Sequence, residues 1–240
     1  MTGAQAMILA AGRGERMRPL TDHCPKPLLE VLGKPLMQYH VEALGRSGFR
    51  DLVVNTAWLG QQIENRFAPL AGDGASDGGP RFRIRYSDEG RDFGGALETA
   101  GGIARALPLL DDAFWLVGGD VYVPQFEFSR AALDGFASGH ALAHLFLIPN
   151  PPHNPKGDFG IRPSGLALSH DAVQYTYSTI GLYRKALFAS LPAGNPQGLK
   201  APLAPLLRAA MDNGQVTAEI YTGPWTDVGT PERLAQLNAT

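Results

Sequence analysis

The stretch Ala6-Met-Ile-Leu-Ala-Ala-Gly-Arg-Gly-Glu-Arg-Met-Arg-Pro-Leu-Thr21 decides how this chain begins to fold. Its first four residues are apolar and predict a short strand, which runs directly into a loop of small residues. Small side chains at 10, 11, 12 and 14 let backbone N–H groups approach phosphate oxygens and a flat base. Positive charge follows at Arg13, Arg18 and Lys26. The pattern favours a polyanionic ligand, although a tight strand-to-helix connection would explain the glycines alone.

Two common phosphate-binding loops do not fit this stretch. The glycines at 12 and 14 lack the third glycine of the dinucleotide fingerprint, and no Gly-Lys-Ser/Thr sequence closes a Walker loop. A dinucleotide-dependent reductase is therefore disfavoured.

Apolar segments that alternate between the periods of strand and helix follow the loop. They predict strands at 6–9, 52–55, 82–86, 114–117, 141–148, 160–168, 174–183 and 216–221, and helices at 36–47, 59–67, 95–107, 201–213 and 231–237. This order indicates an α/β fold, Rossmann-like, in which a mostly parallel or mixed sheet is flanked by helices. The second half adds a small lid region of antiparallel strands. With no evident linker, residues 1–240 are expected to form one domain.

Composition bounds the function. The 240 residues are 44% hydrophobic and carry a formal net charge of −2, so no clustered basic surface for nucleic acid is expected. The single cysteine, Cys24, excludes an internal disulfide framework. No apolar run is long enough for a membrane span or a signal peptide, and a cytoplasmic protein is expected.

Two aspartates follow apolar or aromatic segments, in Trp115-Leu-Val-Gly-Gly-Asp120 and in Trp225-Thr-Asp227-Val-Gly-Thr-Pro-Glu232. Either alone is equally well explained as a turn or cap residue. Together with residues 9–21 and Pro25-Lys-Pro-Leu28, they resemble the sugar-1-phosphate nucleotidyltransferases, enzymes that join a nucleoside triphosphate to a sugar 1-phosphate. The resemblance implies that Asp120 and Asp227 hold a catalytic Mg²⁺.

The same resemblance implies further roles. Arg18 would orient the leaving pyrophosphate and Lys26 would bridge toward the α-phosphate. The first loop and Leu97-Glu-Thr-Ala-Gly-Gly102 would enclose the nucleotide, although close packing of a helix on the sheet explains the second pair of glycines equally well. The implied nucleotide-binding residues are Ala10, Ala11, Gly12, Arg13, Gly14, Lys26, Gly101 and Gly102. Residues 1–120 would then mainly bind nucleotide, and 121–240 mainly sugar.

Segments spread over the chain resemble one branch of the family, the N-acetylmuramate 1-phosphate uridylyltransferases of cell-wall recycling. They are residues 54–64, 97–102, 156–159 and 206–211. This implies UTP as donor and sugar contacts at Asp158 and Thr179. The chain departs from the branch where Gly118 replaces an asparagine and Thr179 replaces a glycine. Lys156, Arg184 or Lys200 would meet the carboxylate of a muramate.

Two alternatives stay open at this point. The first is a guanylyl- or thymidylyltransferase acting on mannose, heptose or glucose 1-phosphate. The second is a non-catalytic regulatory protein that binds a nucleotide sugar, which retention of all four residues Arg18, Lys26, Asp120 and Asp227 disfavours. A monomer or weak homodimer with small-molecule substrates is expected.

Overall fold

The computed structural model describes residues 3–70, 72, 75–76 and 79–239. Its strands are β1 (Ala4–Ala10), β2 (Glu30–Val31), β3 (Lys34–Pro35), β4 (Asp51–Thr56), β5 (Ala75–Ser76), β6 (Gly79–Pro80), β7 (Arg83–Asp88), β8 (Leu110–Gly118), β9 (Val121–Tyr122), β10 (Ala143–Ile148), β11 (Gly160–Ile161), β12 (Ala167–Leu168), β13 (Thr176–Arg184), β14 (Val216–Ile220) and β15 (Thr226–Asp227). Its α-helices are α1 (Leu36–Arg46), α2 (Gly60–Phe67), α3 (Glu89–Phe93), α4 (Glu98–Ala106), α5 (Arg130–Ser138), α6 (Leu203–Asp212) and α7 (Pro231–Asn238).

Seven of the described strands form the central sheet, in the order β14-β10-β13-β8-β1-β4-β7. Strand β1 runs parallel to β4 and β8, and β4 runs parallel to β7. Strand β13 is antiparallel to both β8 and β10. The α/β class with a mixed sheet is thus confirmed. Strands from both halves of the chain lie in this one sheet, and short antiparallel pairs such as β11–β12 and β9–β15 stand beside it.

Strand alternation sends side chains to two apolar layers. Ile8, Val54 and Val117 lie in the layer that includes helix α1, whereas their chain neighbours Met7 and Leu116 lie in the layer that includes α4 and α6. All five side chains are buried. Because both faces of the central strands are covered, these strands read as continuous apolar runs.

Three local predictions were wrong or incomplete. Residues 160–168 do not form one strand but the hairpin β11–β12, because Gly165, at φ +82°, closes a turn with its N–H on the carbonyl of Arg162. Helix α3 was not predicted, since its five residues carry no apolar period. Helix α5 was also missed; it begins at the cap Ser129 and buries Leu133 and Phe136.

The fold gathers the loops that follow β1, β4 and β8 at one edge of the sheet. The N–H of Gly119 donates to the carbonyl of Leu9 at 2.8 Å, which ties the ends of β8 and β1 together. Ligands of parallel sheets bind at this edge, beyond the carboxyl ends of the strands. Within the described ranges, no helix combines the length and apolar character needed to cross a bilayer.

Candidate active site

Two adjoining cavities open at the carboxyl ends of the central strands. The first, the loop pocket, has a volume of about 280 Å³ and is lined by the β1 loop (Ala10, Ala11 and Gly12) and by Lys26 and Asp120. The second, the α6 pocket, has a volume of about 530 Å³ and is lined by Asp158, Phe159, Leu203, Leu207 and Arg208. Leu9, Glu98, Thr99 and Thr179 line both cavities. One ligand could therefore extend from the first cavity into the second.

Lys26 and Asp120 meet in the loop pocket although 94 positions separate them in the chain. Lys26 Nζ lies 2.6 Å from Asp120 Oδ2. The lysine is buried, whereas the side chain of Asp120 is 42% exposed. A buried ammonium beside small-residue backbone is suited to phosphate oxygens, and the exposed carboxylate remains open to a cation.

A buried series of hydrogen bonds holds the β1 loop in place. The N–H of Ala10 donates to Asn55 Oδ1 at 2.9 Å, and Asn55 Nδ2 donates to Glu89 Oε1 at 2.7 Å. The other carboxyl oxygen of Glu89 accepts the N–H of Leu97 at 2.7 Å. Burial raises the pKa of Glu89, and these two hydrogen bonds oppose the rise. This series of hydrogen bonds links the first strand to the start of α4.

Glu89 was not among the site residues predicted from sequence. No motif contains it, but it follows directly after β7, so its carboxyl group lies at the same sheet edge as the loop. A polar residue just beyond each parallel strand is the signal that could have identified it.

Arg13 and Arg18 converge on Asp22 rather than on the cavities. Arg13 Nη2 and Arg18 Nε contact Asp22 Oδ1 at 3.0 and 2.8 Å. Arg13 also lies over the ring of Trp58, 3.8 Å from its centroid. The hydrogen bond from Arg13, with the help of Arg18, holds the pKa of Asp22 below its ordinary value. Arg13 therefore braces the loop, while Arg18 stands at its exposed outer side, 57% exposed.

Asp227 reaches the same edge through the β9–β15 pair. It is paired with Val121, and the N–H of Val228 donates to the carbonyl of Asp120 at 3.0 Å, so the two backbones are adjacent. The carboxylates are held separately: Asp120 contacts Lys26, while Asp227 contacts Arg233 and, at 2.7 Å, His153 Nε2. The two predicted metal ligands are brought together in backbone but engage different cations.

The donor set nonetheless suits Mg²⁺. Two carboxylates completed by phosphates and water are a usual set of ligands for this ion. Within the described residues, no group of three or more His, Cys, Asp and Glu side chains could hold a metal without such help. Gly229, two residues after Asp227, lies with Asp120 and Lys26 on a smaller cavity of about 220 Å³ beside the loop, which leaves space next to Asp120.

Gly101 and Gly102 are buried in α4 and line neither of the two cavities. A Cβ at 101 would lie 2.5 Å from the carbonyl oxygen of Leu199, and one at 102 would lie 2.4 Å from Glu89 Oε1. Close packing therefore accounts for both glycines. The residues of this segment that line the loop pocket are Glu98 and Thr99.

The predicted sugar-binding residues lie on the α6 pocket. Asp158 Oδ2 accepts the N–H of Tyr177 at 2.8 Å and Asn154 Nδ2 at 3.2 Å. Thr179 has a positive φ of +62°, and its hydroxyl donates to the carbonyl of Ser178 at 2.6 Å. A Cβ at Gly118 would lie 2.6 Å from Thr179 Oγ1. The two departures from the branch pattern are thus in direct contact.

The three cations considered for a muramate carboxylate lie elsewhere. Arg184 contacts Asp112 at 3.1 Å and the carbonyls of Phe136, Ala137 and Gly139. Lys156 and Lys200 do not line the described cavity walls. Arg208 does line the α6 pocket; it lies within the 206–211 segment that carries the branch resemblance, which was the available signal.

Comparisons with known proteins agree with this geometry. Residues 5–174 match the model of the nucleotidyl transferase family. The N-acetylmuramate α-1-phosphate uridylyltransferase of Neisseria meningitidis serogroup B is 47% identical over 239 residues, covering 98% of this chain and 97% of that protein. The enzyme of the same name from Caulobacter vibrioides is 31% identical, covering 95% and 92%.

The fold also matches a solved structure. A crystal structure from Bacillus anthracis, assigned as a glucose-1-phosphate thymidylyltransferase in complex with a sucrose, superposes with a TM-score of 0.76 at 20% identity and covers 98% of this chain and 94% of its own. At that identity the match supports the fold alone. By the family match and by its full-length relatives, the chain belongs to the nucleotidyl transferase family, among the sugar-1-phosphate nucleotidyltransferases.

Proposed function

We propose that this enzyme transfers the uridylyl group of UTP to N-acetylmuramate 1-phosphate, producing UDP-N-acetylmuramate and pyrophosphate. The contact between Lys26 and Asp120 beside the β1 loop carries the proposal, because it places a phosphate-binding cation and an open carboxylate on one cavity. The two full-length relatives named for this reaction support the choice of base and sugar.

The chemistry requires positioning more than covalent help. An oxygen of the sugar phosphate attacks the α-phosphorus of UTP, and the bond from that phosphorus to the oxygen bridging to the β-phosphate breaks, so that pyrophosphate leaves with the bonding electrons. A phosphate monoester is already an anion at neutral pH, so no general base is required. Small residues of the β1 loop present N–H groups, and Lys26 offsets the repulsion between the two phosphates.

Mg²⁺ is the proposed cofactor. Asp120 and Asp227 would hold it, and when bound it would neutralise charge on the triphosphate and on the departing pyrophosphate. Arg18, at the exposed outer side of the loop, is proposed to contact the pyrophosphate. Its ion pair with Asp22 would orient the guanidinium.

Asp158 and Thr179 are proposed to contact the sugar. Both line the α6 pocket, and Thr179 lies where that pocket joins the loop pocket. We further propose a cytoplasmic enzyme, in keeping with its single free cysteine, that acts as a monomer or weak homodimer. Analytical ultracentrifugation tests the oligomeric state.

The test is a substrate panel. UTP, GTP and dTTP are combined with N-acetylmuramate, N-acetylglucosamine, mannose, heptose and glucose 1-phosphates in the presence of Mg²⁺, and pyrophosphate release and product mass are measured. The proposal expects the highest kcat/KM for UTP with N-acetylmuramate 1-phosphate. A reaction with another pair alone would support the guanylyl- or thymidylyltransferase alternative, and nucleotide binding with no product from any pair would support the regulatory alternative.

A further inference from the structure

The α6 pocket carries charge that the reaction at the phosphates does not use. Among the described residues that line it, Arg208 is the one basic side chain, and it projects from helix α6. The acids on the same wall are Glu98 and Asp158. Glu98 also lines the loop pocket, so it lies toward the phosphates, whereas Arg208 lines only the α6 pocket.

The guanidinium of Arg208 is held in place by neutral partners. Its Nη1 donates to the carbonyl of Ser169, its Nη2 donates to the carbonyl of Asp158 at 3.2 Å, and its carbon lies 5.1 Å from the centroid of the Phe159 ring. Within the part of the chain that the structure describes, no carboxylate is paired with it. A guanidinium has five N–H donors, so these contacts leave donors and the whole positive charge for a ligand.

The surroundings of Arg208 are apolar and half-enclosed. Leu203 and Leu207 precede it on α6, and both are buried and line the same cavity. Such walls strengthen an ion pair by excluding water, and they provide a surface for a methyl group. The wall therefore suits a small group that carries a methyl and a carboxylate together.

We propose that Arg208 is the residue that selects an acidic sugar, by binding the carboxylate of the 3-O-lactyl ether while Leu203 and Leu207 receive the lactyl methyl. This rests on the proposed function and deepens it. N-acetylmuramate differs from N-acetylglucosamine only in that ether, so the contact with Arg208 would be the main source of discrimination between their 1-phosphates.

The experiment compares both sugar phosphates in the wild type and in Arg208→Gln and Arg208→Lys. Loss of a charged hydrogen bond predicts that R208Q lowers kcat/KM for the muramate substrate roughly 10- to 100-fold, mainly through KM, and changes kcat/KM for N-acetylglucosamine 1-phosphate by less than about threefold. R208K, which keeps the charge but not the planar fork, should recover part of the selectivity.

A matched control separates recognition from support of the fold. Ser169→Ala removes hydroxyl contacts to the Arg208 carbonyl at 3.1 Å and to Asp212 at 2.8 Å without changing the charge of the pocket. It should leave the ratio between the two substrates unchanged. If the Arg208 variants do not fold, the wild type is tested with the muramate carboxylate converted to its amide, and the same loss is expected.

Three results would overturn the assignment. R208Q could lower kcat/KM equally for both sugar phosphates, which would make the residue structural. It could leave the ratio of the two kcat/KM values unchanged. The wild type could also use the amide of the muramate substrate as well as it uses the acid. An enzyme that uses N-acetylglucosamine 1-phosphate but not N-acetylmuramate 1-phosphate would instead overturn the proposed function together with this inference.

Discussion

The loop pocket and the α6 pocket differ in which parts of the chain form their walls. The loop pocket includes a run of consecutive small residues, Ala10, Ala11 and Gly12, and the start of this run is held by Asn55, which is itself held by Glu89. The α6 pocket is formed by side chains from distant segments, with Asp158, Tyr177 and Arg208 meeting across the fold. A pocket that binds its ligand through backbone N–H groups needs only a short sequence motif. A pocket that binds through side chains from distant segments needs the correct tertiary arrangement. The first can be shared across a family, and the second can differ from one branch to another.

The largest expected effect lies in the loop pocket, at Asp120→Asn. Loss of the carboxylate removes a proposed metal ligand and the partner of Lys26, so kcat should fall by about 10³-fold or more. Pyrophosphate release measures it, and circular dichroism checks the fold. Asp112→Asn is the control, an exposed acid at the other end of β8 paired with Arg184. Wild-type turnover in D120N would remove Asp120 from the chemistry.

The two arginines on Asp22 should separate into different roles. Arg18→Met is expected to lower kcat/KM for UTP roughly 10- to 100-fold, because it removes a proposed pyrophosphate contact. Arg13→Met should instead lower the melting temperature by roughly 1–4 °C, since it loses the stacking on Trp58. Steady-state kinetics and thermal unfolding of each variant distinguish the two roles. Equal kinetic losses in both variants would show that bracing of the loop, and not a pyrophosphate contact, explains Arg18.

Breaking the buried hydrogen bonds that link Ala10, Asn55 and Glu89 should destabilise the protein. Asn55→Ala leaves the Ala10 N–H and the Glu89 carboxylate without their partner, so the free energy of unfolding at pH 7 should fall by about 1–3 kcal/mol, with a higher KM for UTP. Urea denaturation measures the loss. Gln61→Ala, which removes an exposed amide on α2, should change stability by less than about 0.5 kcal/mol.

The pH dependence of the stability lost in Asn55→Ala tests the protonation state of Glu89. Its pKa is already raised above the ordinary 4.5, so above pH 4.5 the unfolded chain releases its proton first and stability falls as pH rises through the raised pKa. Asn55 favours the ionised form, so without it the pKa of Glu89 rises further. The loss of stability in Asn55→Ala should therefore grow with pH only between the pKa of Glu89 in the wild type and its higher pKa in the variant. A loss that shrinks with rising pH would contradict this account.

The smallest expected effect concerns the junction between the two pockets. Gly118→Ala places a Cβ 2.6 Å from Thr179 Oγ1 and 3.0 Å from Asp120 Oδ1, so it should destabilise the protein. Adding Thr179→Gly removes the clash and relieves the positive φ at 179, which predicts a favourable coupling of about 1 kcal/mol. Urea denaturation of the four proteins of the cycle gives this value.

A control for the junction is Gly135→Ala in α5, where the added carbon would meet no atom within 4 Å beyond its chain neighbours and the backbone of its own helix. It should be neutral or slightly stabilising, because alanine favours a helix more than glycine does. Additive effects of Gly118→Ala and Thr179→Gly would mean that the two positions are independent.

The central strands were predictable because burial on both faces leaves uninterrupted apolar runs, as in β4 and β8. Helix α3 was not, since it is only five mostly polar residues long, beginning after the N-cap Asp88 and ending at the left-handed Gly94. The hairpin at 160–168 was read as one strand because apolar residues stand on both sides of its short turn, Arg162-Pro-Ser-Gly165. The position of Asp120 beside the β1 loop followed from the rule that parallel strands end at one edge. Its contact with Lys26 did not, since Lys26 lies in a turn between strands, and neither did the partners of Asp227, since Arg233 and His153 come from a later helix and a distant loop.

By itself the sequence determined the strand that opens the chain, the small-residue loop after it, and the acids and cations that accompany phosphate chemistry, because these depend on local period, backbone freedom and residue type. Only the tertiary structure decided which cations line a cavity and which stabilise the loop, that Thr179 occupies the space beside Gly118, and that Arg208 lines the second cavity. Those outcomes depend on contacts between segments far apart in the chain, and such contacts are set by how the sheet and helices pack.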